Sequence, residues 1–170
     1  LEIKMSWKVD MVIMLRSIIG DLDYSNYTNE RLKQLIVIGA YNVIGDADFT
    51  TEYNVDVGEL TITPDPIENN DVDFSILTVY KAACILLGSE VKTEAANAIS
   101  IKDGPSAIDL RGVTQSLTVM YNDICKKYEE LLNTYSYNNT LVGQAILGPY
   151  SPGSMVINAN QFDYRGNIFR

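Results

Sequence analysis

Two segments of helical periodicity, residues 74–95 and 113–132, flank a stretch that carries turn chemistry instead, and this arrangement restricts the fold more than any other feature of the chain. In the first, Phe74, Leu77, Tyr80 or Lys81, Cys84, Leu87 or Gly88, Val91 and Ala95 recur at spacings of three and four. In the second, Val113, Leu117, Met120, Ile124, Tyr128, Leu131 and Leu132 repeat the pattern. Apolar residues so spaced form one stripe of an α-helix, and that stripe needs a partner surface. Helices of about 25 residues reach roughly 37 Å. The pair is therefore expected to pack antiparallel as a long helical hairpin.

Upstream, "WKVDMVIMLRSII" places Val12, Leu15, Ile18 and Ile19 at helical spacing, and Gly20-Asp21 stops the run. "YTNERLKQLIVIGAYNVIG" predicts a second helix, with Thr28 as N-cap, Glu30 in the first turn and Leu32, Leu35, Ile36, Gly39 and Val43 on one face, ending near Gly45. Between residues 49 and 67 the period becomes two: Tyr53, Val55 and Val57 alternate with polar neighbours before Gly58, then Leu60 and Ile62 before Pro64 and Pro66. That pattern predicts a small β-hairpin. Asp71 or Asp73 can cap the helix that follows. The expected fold is mainly α: a bundle of about four helices with a β-hairpin excursion, occupying residues 1–135, and an extended C-terminal arm over residues 136–170.

The connection between the long helices, "SIKDGPSAIDLRG" at residues 100–112, exceeds what joining two helices needs. Ile99 and Ile101 alternate with polar neighbours, Asp103-Gly104-Pro105 is a turn tripeptide, and Ile108 and Leu110 alternate on the return. A projecting hairpin is expected, with Ile101, Asp103, Gly104, Pro105 and Ile108 touching a neighbouring subunit or facing a lumen. A packed cap over the core is the alternative. After Tyr135 no helical period survives. The arm is rich in Asn, Gly, Ser and Tyr and contains "GPYSPG", yet it has spaced anchors: Leu141, Val142, Ile146, Leu147, Val156, Ile157, Phe162, Tyr164, Ile168 and Phe169. A solvated tail is poorer in such groups. Tyr150, Val156, Ile157, Phe162, Tyr164, Ile168 and Phe169 are the expected partner-binding residues; a tail folded back on its own domain is the other possibility. Four of the 11 tyrosines, Tyr135, Tyr137, Tyr150 and Tyr164, lie in or beside this arm, a residue type favoured at interfaces.

Chemistry is narrowed by what the chain does not contain. It has no histidine, the commonest general base and zinc ligand. Its glycines never take phosphate-loop spacing. Asp21, Asp23 and Ser25 occupy alternate positions of a calcium loop, but Asn26 stands where glycine is wanted and Leu32 where a bidentate Glu belongs. Asp46 with Asp48, and Asp71 with Asp73, sit beside helix ends, where capping accounts for them. No catalytic residue, metal or cofactor is expected. Cys84 and Cys125 fall in apolar helical patterns, which favours buried free thiols over a disulfide. A net charge of −9, from 22 acidic against 13 scattered basic residues, excludes binding DNA by neutralising its phosphates. No stretch is expected to approach a membrane span, since the densest apolar run, Val12–Ile19, contains Arg16. The N-terminal residues lack a secretory cleavage pattern, so the sequons at Asn26 and Asn138 are read as chance matches.

The order of these elements, "MLRSIIGDLDYSNYTNERLKQLIVIGAYNVI", a β excursion, then "DFSILTVYKAACILLGSEVKTEAANAISIKDGPSAIDLRGVTQSLTVMYNDICKKYEELL", resembles the head-to-tail connector (adaptor, or neck) proteins of tailed bacteriophages over roughly residues 9–135. The resemblance implies a virion protein, assembled in the host cytoplasm, that forms a ring of usually twelve copies beneath the portal. It also implies a terminal arm on the portal or on neighbouring copies, and contact with a tail, stopper or nozzle protein. DNA would pass through the channel without specific binding. The β excursion and the 35-residue arm depart from shorter family members, which leaves open the surface that meets the portal. A helical binding module outside any virion, presenting the same arm to one partner, and a tail-completion or stopper protein are the competing readings.

Overall fold

The structure, a computed structural model, describes residues 6–100 and 111–139, with side chains over 6–96 and 115–138. Among the described residues the order is α1 (Trp7–Ile19), α2 (Asn29–Asp46), β1 (Asn54–Asp56), β2 (Thr61–Thr63), α3 (Val72–Ser100) and α4 (Arg111–Asn139). The molecule is mainly helical with a small two-stranded sheet, as the periodicities predict. The chain divides into two units at Tyr135. The first, Leu1–Tyr135, holds the bundle; of the second, Ser136–Arg170, only the last residues of α4 are described.

Local chemistry sets the helix ends. Thr28 Oγ1 accepts from the Arg31 N–H at 3.3 Å, opening α2. Gly20 closes α1 at φ +77°, a left-handed conformation that costs glycine nothing. Of the two candidates for capping α3, Asp71 does so, accepting from the Phe74 N–H at 3.0 Å. The cap of α1 comes from far along the chain: Asp65 accepts from Ser6 Oγ and from the Trp7 N–H at 3.0 and 3.1 Å.

Helix α3 is the central element. Its Phe74, Leu77, Val79, Ala82, Ala83 and Leu86 are buried against Met11, Val12 and Leu15 of α1 and Leu32, Ile36, Val37, Ala40 and Val43 of α2. Fully burying one such large side chain contributes about 1.5–3 kcal/mol. Neighbours on more than one side explain why α3 is apolar around much of its circumference. Over Val72–Ala96 it is long and apolar enough, by length and composition, to cross a membrane, and half of the most apolar stretch is buried inside the protein. Asp73, Lys81, Glu90, Lys92 and Glu94 interrupt this segment, so it holds no unbroken apolar run of span length, as the sequence reading expects.

Helix α4 runs antiparallel to α3, with partners falling on one helix as they rise on the other: Lys81 lies over the Tyr128 ring at 4.6 Å, Cys84 meets Cys125, and Gly88 faces Tyr121. This register corrects the expectation of free thiols. Cys84 and Cys125 stand at one level of the two helices, 5.2 Å apart at Cα, and form a disulfide. Both are half-buried. Helix α3 extends to Ser100, so Ile99 and Ser100 are helical and belong to no strand. Ile101, Asp103, Gly104, Pro105, Ile108 and Leu110 lie outside the described residues.

The hairpin pairs Asn54 with Thr63, Val55 with Ile62 and Asp56 with Thr61. Tyr53 and Ile62 are buried. Val57, expected to continue the alternation, sits past the end of β1 and is 44% exposed, because Asp56 accepts the Gly58 and Glu59 N–H groups and turns the chain there. Tyr53 stacks on Phe74 at 3.8 Å, Phe49 meets Phe74 edge-on, and Tyr135 stacks on Phe49 at 4.9 Å, so one aromatic group joins the hairpin region to α3 and α4.

Candidate functional site

The most distinctive surface is electrostatic. From Asp46 to Asp73 the chain carries nine carboxylates and no basic residue. The other thirteen of the 22 acidic residues are matched by all thirteen basic ones, so the whole net charge of −9 belongs to this segment. The fold keeps the segment together, since it comprises the end of α2, the hairpin, the following loop and the start of α3. Four of the nine have structural duties: Asp56 in the hairpin turn, Asp65 and Asp71 as helix caps, and Asp46 as a partner for Lys81 and Tyr128. The other five, Asp48, Glu52, Glu59, Glu68 and Asp73, are exposed.

Asp46 is no helix cap, contrary to the expectation for the Asp46–Asp48 pair. Its Oδ2 accepts from Lys81 Nζ at 2.8 Å and from the Tyr128 hydroxyl at 2.6 Å, tying α2, α3 and α4 together. Burial alone would raise the Asp46 pKa, but the two hydrogen bonds and the Lys81 charge outweigh it and hold the carboxyl below its ordinary value. Burial, and then the Asp46 carboxylate, push the Tyr128 hydroxyl well above the ordinary tyrosine value. Tyr53 is raised in the same way by burial and by its hydrogen bond to Asp71. Among the described side chains of α4 only Tyr128 is buried.

An uncharged surface adjoins this charged one in sequence, and exposed apolar residues stand on α1. Between Lys33 and Asp46, α2 has no charged residue, and its outward side exposes Gln34, Ile38, Tyr41, Asn42, Ile44 and Gly45. A helix face turned to water ordinarily carries charge. On α1, Val9 and Ile13, one turn apart, are 56% and 50% exposed. A separate groove of about 450 Å³ runs along α3 beside α4, bounded by Lys81, Cys84, Ile85, Gly88, Ser89, Val91, Lys92 and Tyr121.

The loop considered for calcium has another role. Asp21 is buried and forms an ion pair with Arg16, whose guanidinium also donates to Tyr27 O and to Asn29 Oδ1 at 2.8 Å each. A cation is thus already supplied by the chain, and Asp21 further accepts from the Asn26 N–H at 3.0 Å. Among the described residues no group of three or more Cys, Asp or Glu is placed to hold a metal. The expected arm contacts Tyr150, Val156, Ile157, Phe162, Tyr164, Ile168 and Phe169 all lie outside the described residues, as do those of the tip. Sequence reasoning missed the acidic segment, although counting charge by segment would have found it. It also missed the Asp46–Lys81–Tyr128 group, which no local signal announces. Compared with protein-family models, curated proteins and solved structures, the chain has no match.

Proposed function

We propose that this protein is a structural component of a virion: its copies form a ring that joins the portal at the capsid vertex to the tail and continues the DNA channel. The observation that carries this reading is the charge layout. A segment holding the entire net charge suits a surface past which DNA must slide without adhering, because fixed carboxylates repel phosphates. The electrically balanced remainder suits packing between copies, and the uncharged outer side of α2 is the surface assigned to a neighbour. The element order, with its two long antiparallel helices, fits the resemblance to head-to-tail connectors. In this reading the arm reaches the portal or the next copy through its apolar anchors, buried together on an extended partner surface. The tip between α3 and α4 contacts a subunit or the lumen, and a tail, stopper or nozzle protein binds below. The protein takes no cofactor and performs no catalysis.

The test is the mass of the purified chain alone and mixed with its portal. Twelve copies of the 18.9 kDa chain give a species of about 230 kDa, or a matching increment on the portal. Removing residues 140–170, which leaves α4 whole, is expected to preserve the thermal transition and abolish attachment. A chain that stays monomeric with portal present, or a truncated one that attaches unchanged, contradicts the reading.

A further inference from the structure

We propose that Cys84 is a site of thiol–disulfide exchange with small thiols, entered through the α3–α4 groove, and that the exchange opens the covalent tie between these helices. The groove that reaches the disulfide is bounded by Cys84; Cys125 is not among the described residues that bound it. Helical side chains lean toward the N-terminus, so the residue one turn beyond Cys84 is the one placed to cover its sulfur. That residue is Gly88. With no side chain of its own, Gly88 leaves the Cys84 side of the groove uncovered from α3, and the Tyr121 ring of α4 stands beside it, 3.1 Å from where a Cβ would lie. Lys92 stands along the same groove and its charge favours an approaching thiolate, while Lys81, also on the groove, is held by Asp46.

The exchange has a direction. An incoming thiolate attacks Cys84 Sγ, a new S–S bond forms there, the Cys84–Cys125 bond breaks, and Cys125 departs as a thiolate that takes a proton. A second small thiol then attacks the outer sulfur of the mixed disulfide, leaving two protein thiols and one small-molecule disulfide. Two electrons and two protons pass from two small thiols to the protein. Oxidation by a small disulfide runs the same steps backwards. A reducing compartment opens the tie and an oxidising one closes it. With the tie open, α4 keeps its noncovalent anchors, the Tyr128–Asp46 hydrogen bond and the Tyr135–Phe49 stack, in its C-terminal half. This inference is independent of the ring.

The test uses the full chain and glutathione. The native oxidised protein is incubated with reduced glutathione, quenched with an alkylating agent and mapped by peptide mass spectrometry. The expected product carries glutathione on Cys84 and the alkyl group on Cys125. A complementary arm compares Cys125→Ser with Cys84→Ser, which lose the same bond and so control for each other's folding. The thiol left in Cys125→Ser should react with oxidised glutathione at least about tenfold faster than the thiol left in Cys84→Ser, because access governs the rate. Glutathione on Cys125, equal rates in the two variants, reaction only after denaturation, or thiols that oxidised glutathione fails to join internally would each overturn the proposal.

Discussion

Gly39 sets the distance between α2 and α3. A Cβ there would lie 2.8 Å from Thr78 O and 3.1 Å from Ala82 N, both backbone atoms that cannot rotate aside. Gly39→Ala gains about 1 kcal/mol in helix propensity, yet it must push two helices apart, and overpacking of that kind costs about 1–3 kcal/mol. A net loss of stability on urea titration is expected. The facing Thr78 should behave oppositely, since its side chain is buried and its Oγ1 has no hydrogen-bond partner. Thr78→Val keeps the shape and removes the unmatched hydroxyl, so a gain of about 1 kcal/mol is expected. Equal and like-signed effects at the two positions would show that this crossing is not as close as described. The sequence places Gly39 on the apolar face of its helix, but it does not reveal that this glycine, and not Gly45, meets another backbone.

At the scale of elements, α4 is held by the Cys84–Cys125 disulfide, by Ile124, Tyr128, Leu131, Leu132 and Tyr135 packed on the core, and by the Tyr128–Asp46 hydrogen bond, and the last makes its attachment sensitive to pH. Tyr128 and Tyr53 have raised values in the folded state, so the stability they contribute is present below the ordinary tyrosine value of 10.0 and is lost as pH rises above it. Asp46 is lowered, so its contribution is present above the ordinary carboxyl value of 3.8 and is lost as pH falls through its folded value. The melting temperature is therefore expected to hold across the neutral range and to fall beyond pH 10. Tyr128→Phe should cost about 1–2 kcal/mol at pH 7 and show a shallower alkaline fall, because the hydrogen bond to a carboxylate is gone. An alkaline fall as steep as the parent's would remove Tyr128 from the explanation. The four helices themselves were legible, since a stripe such as Phe74, Leu77, Cys84 and Leu87 is local information. The hairpin was legible too, apart from Val57, where the Asp56 turn ends the strand early. What joins elements was not: the meeting of Cys84 with Cys125, or of Asp46 with Tyr128, depends on the register between helices, which no periodicity contains. Nor was Asp65 at the start of α1, a cap supplied 58 residues away.

Across the whole molecule, the separation of charge does what no single residue does. Residues 46–73 hold the net −9 and the rest of the chain is balanced, so twelve copies around a channel would bring −108 to it if that segment faced inward. Screening confines such a field to roughly 10 Å at 0.1 M salt, enough to act on DNA in a narrow passage and too short to keep neighbouring copies from assembling. The fold class could be read in advance because helices and hairpin are local. The acidic segment could be read in advance too, since its nine carboxylates follow one another along residues 46–73; the elements it occupies once folded could not, because they follow from how the hairpin and the helices pack. The proposed ring requires residues 46–73 to face its channel, and single-particle imaging of the assembled protein, with the hairpin tip marked by a gold label on Val57→Cys, measures that directly. A ring with the labels gathered around its central opening is the predicted result; labels on the outer rim, or an assembly with no central opening, would contradict it.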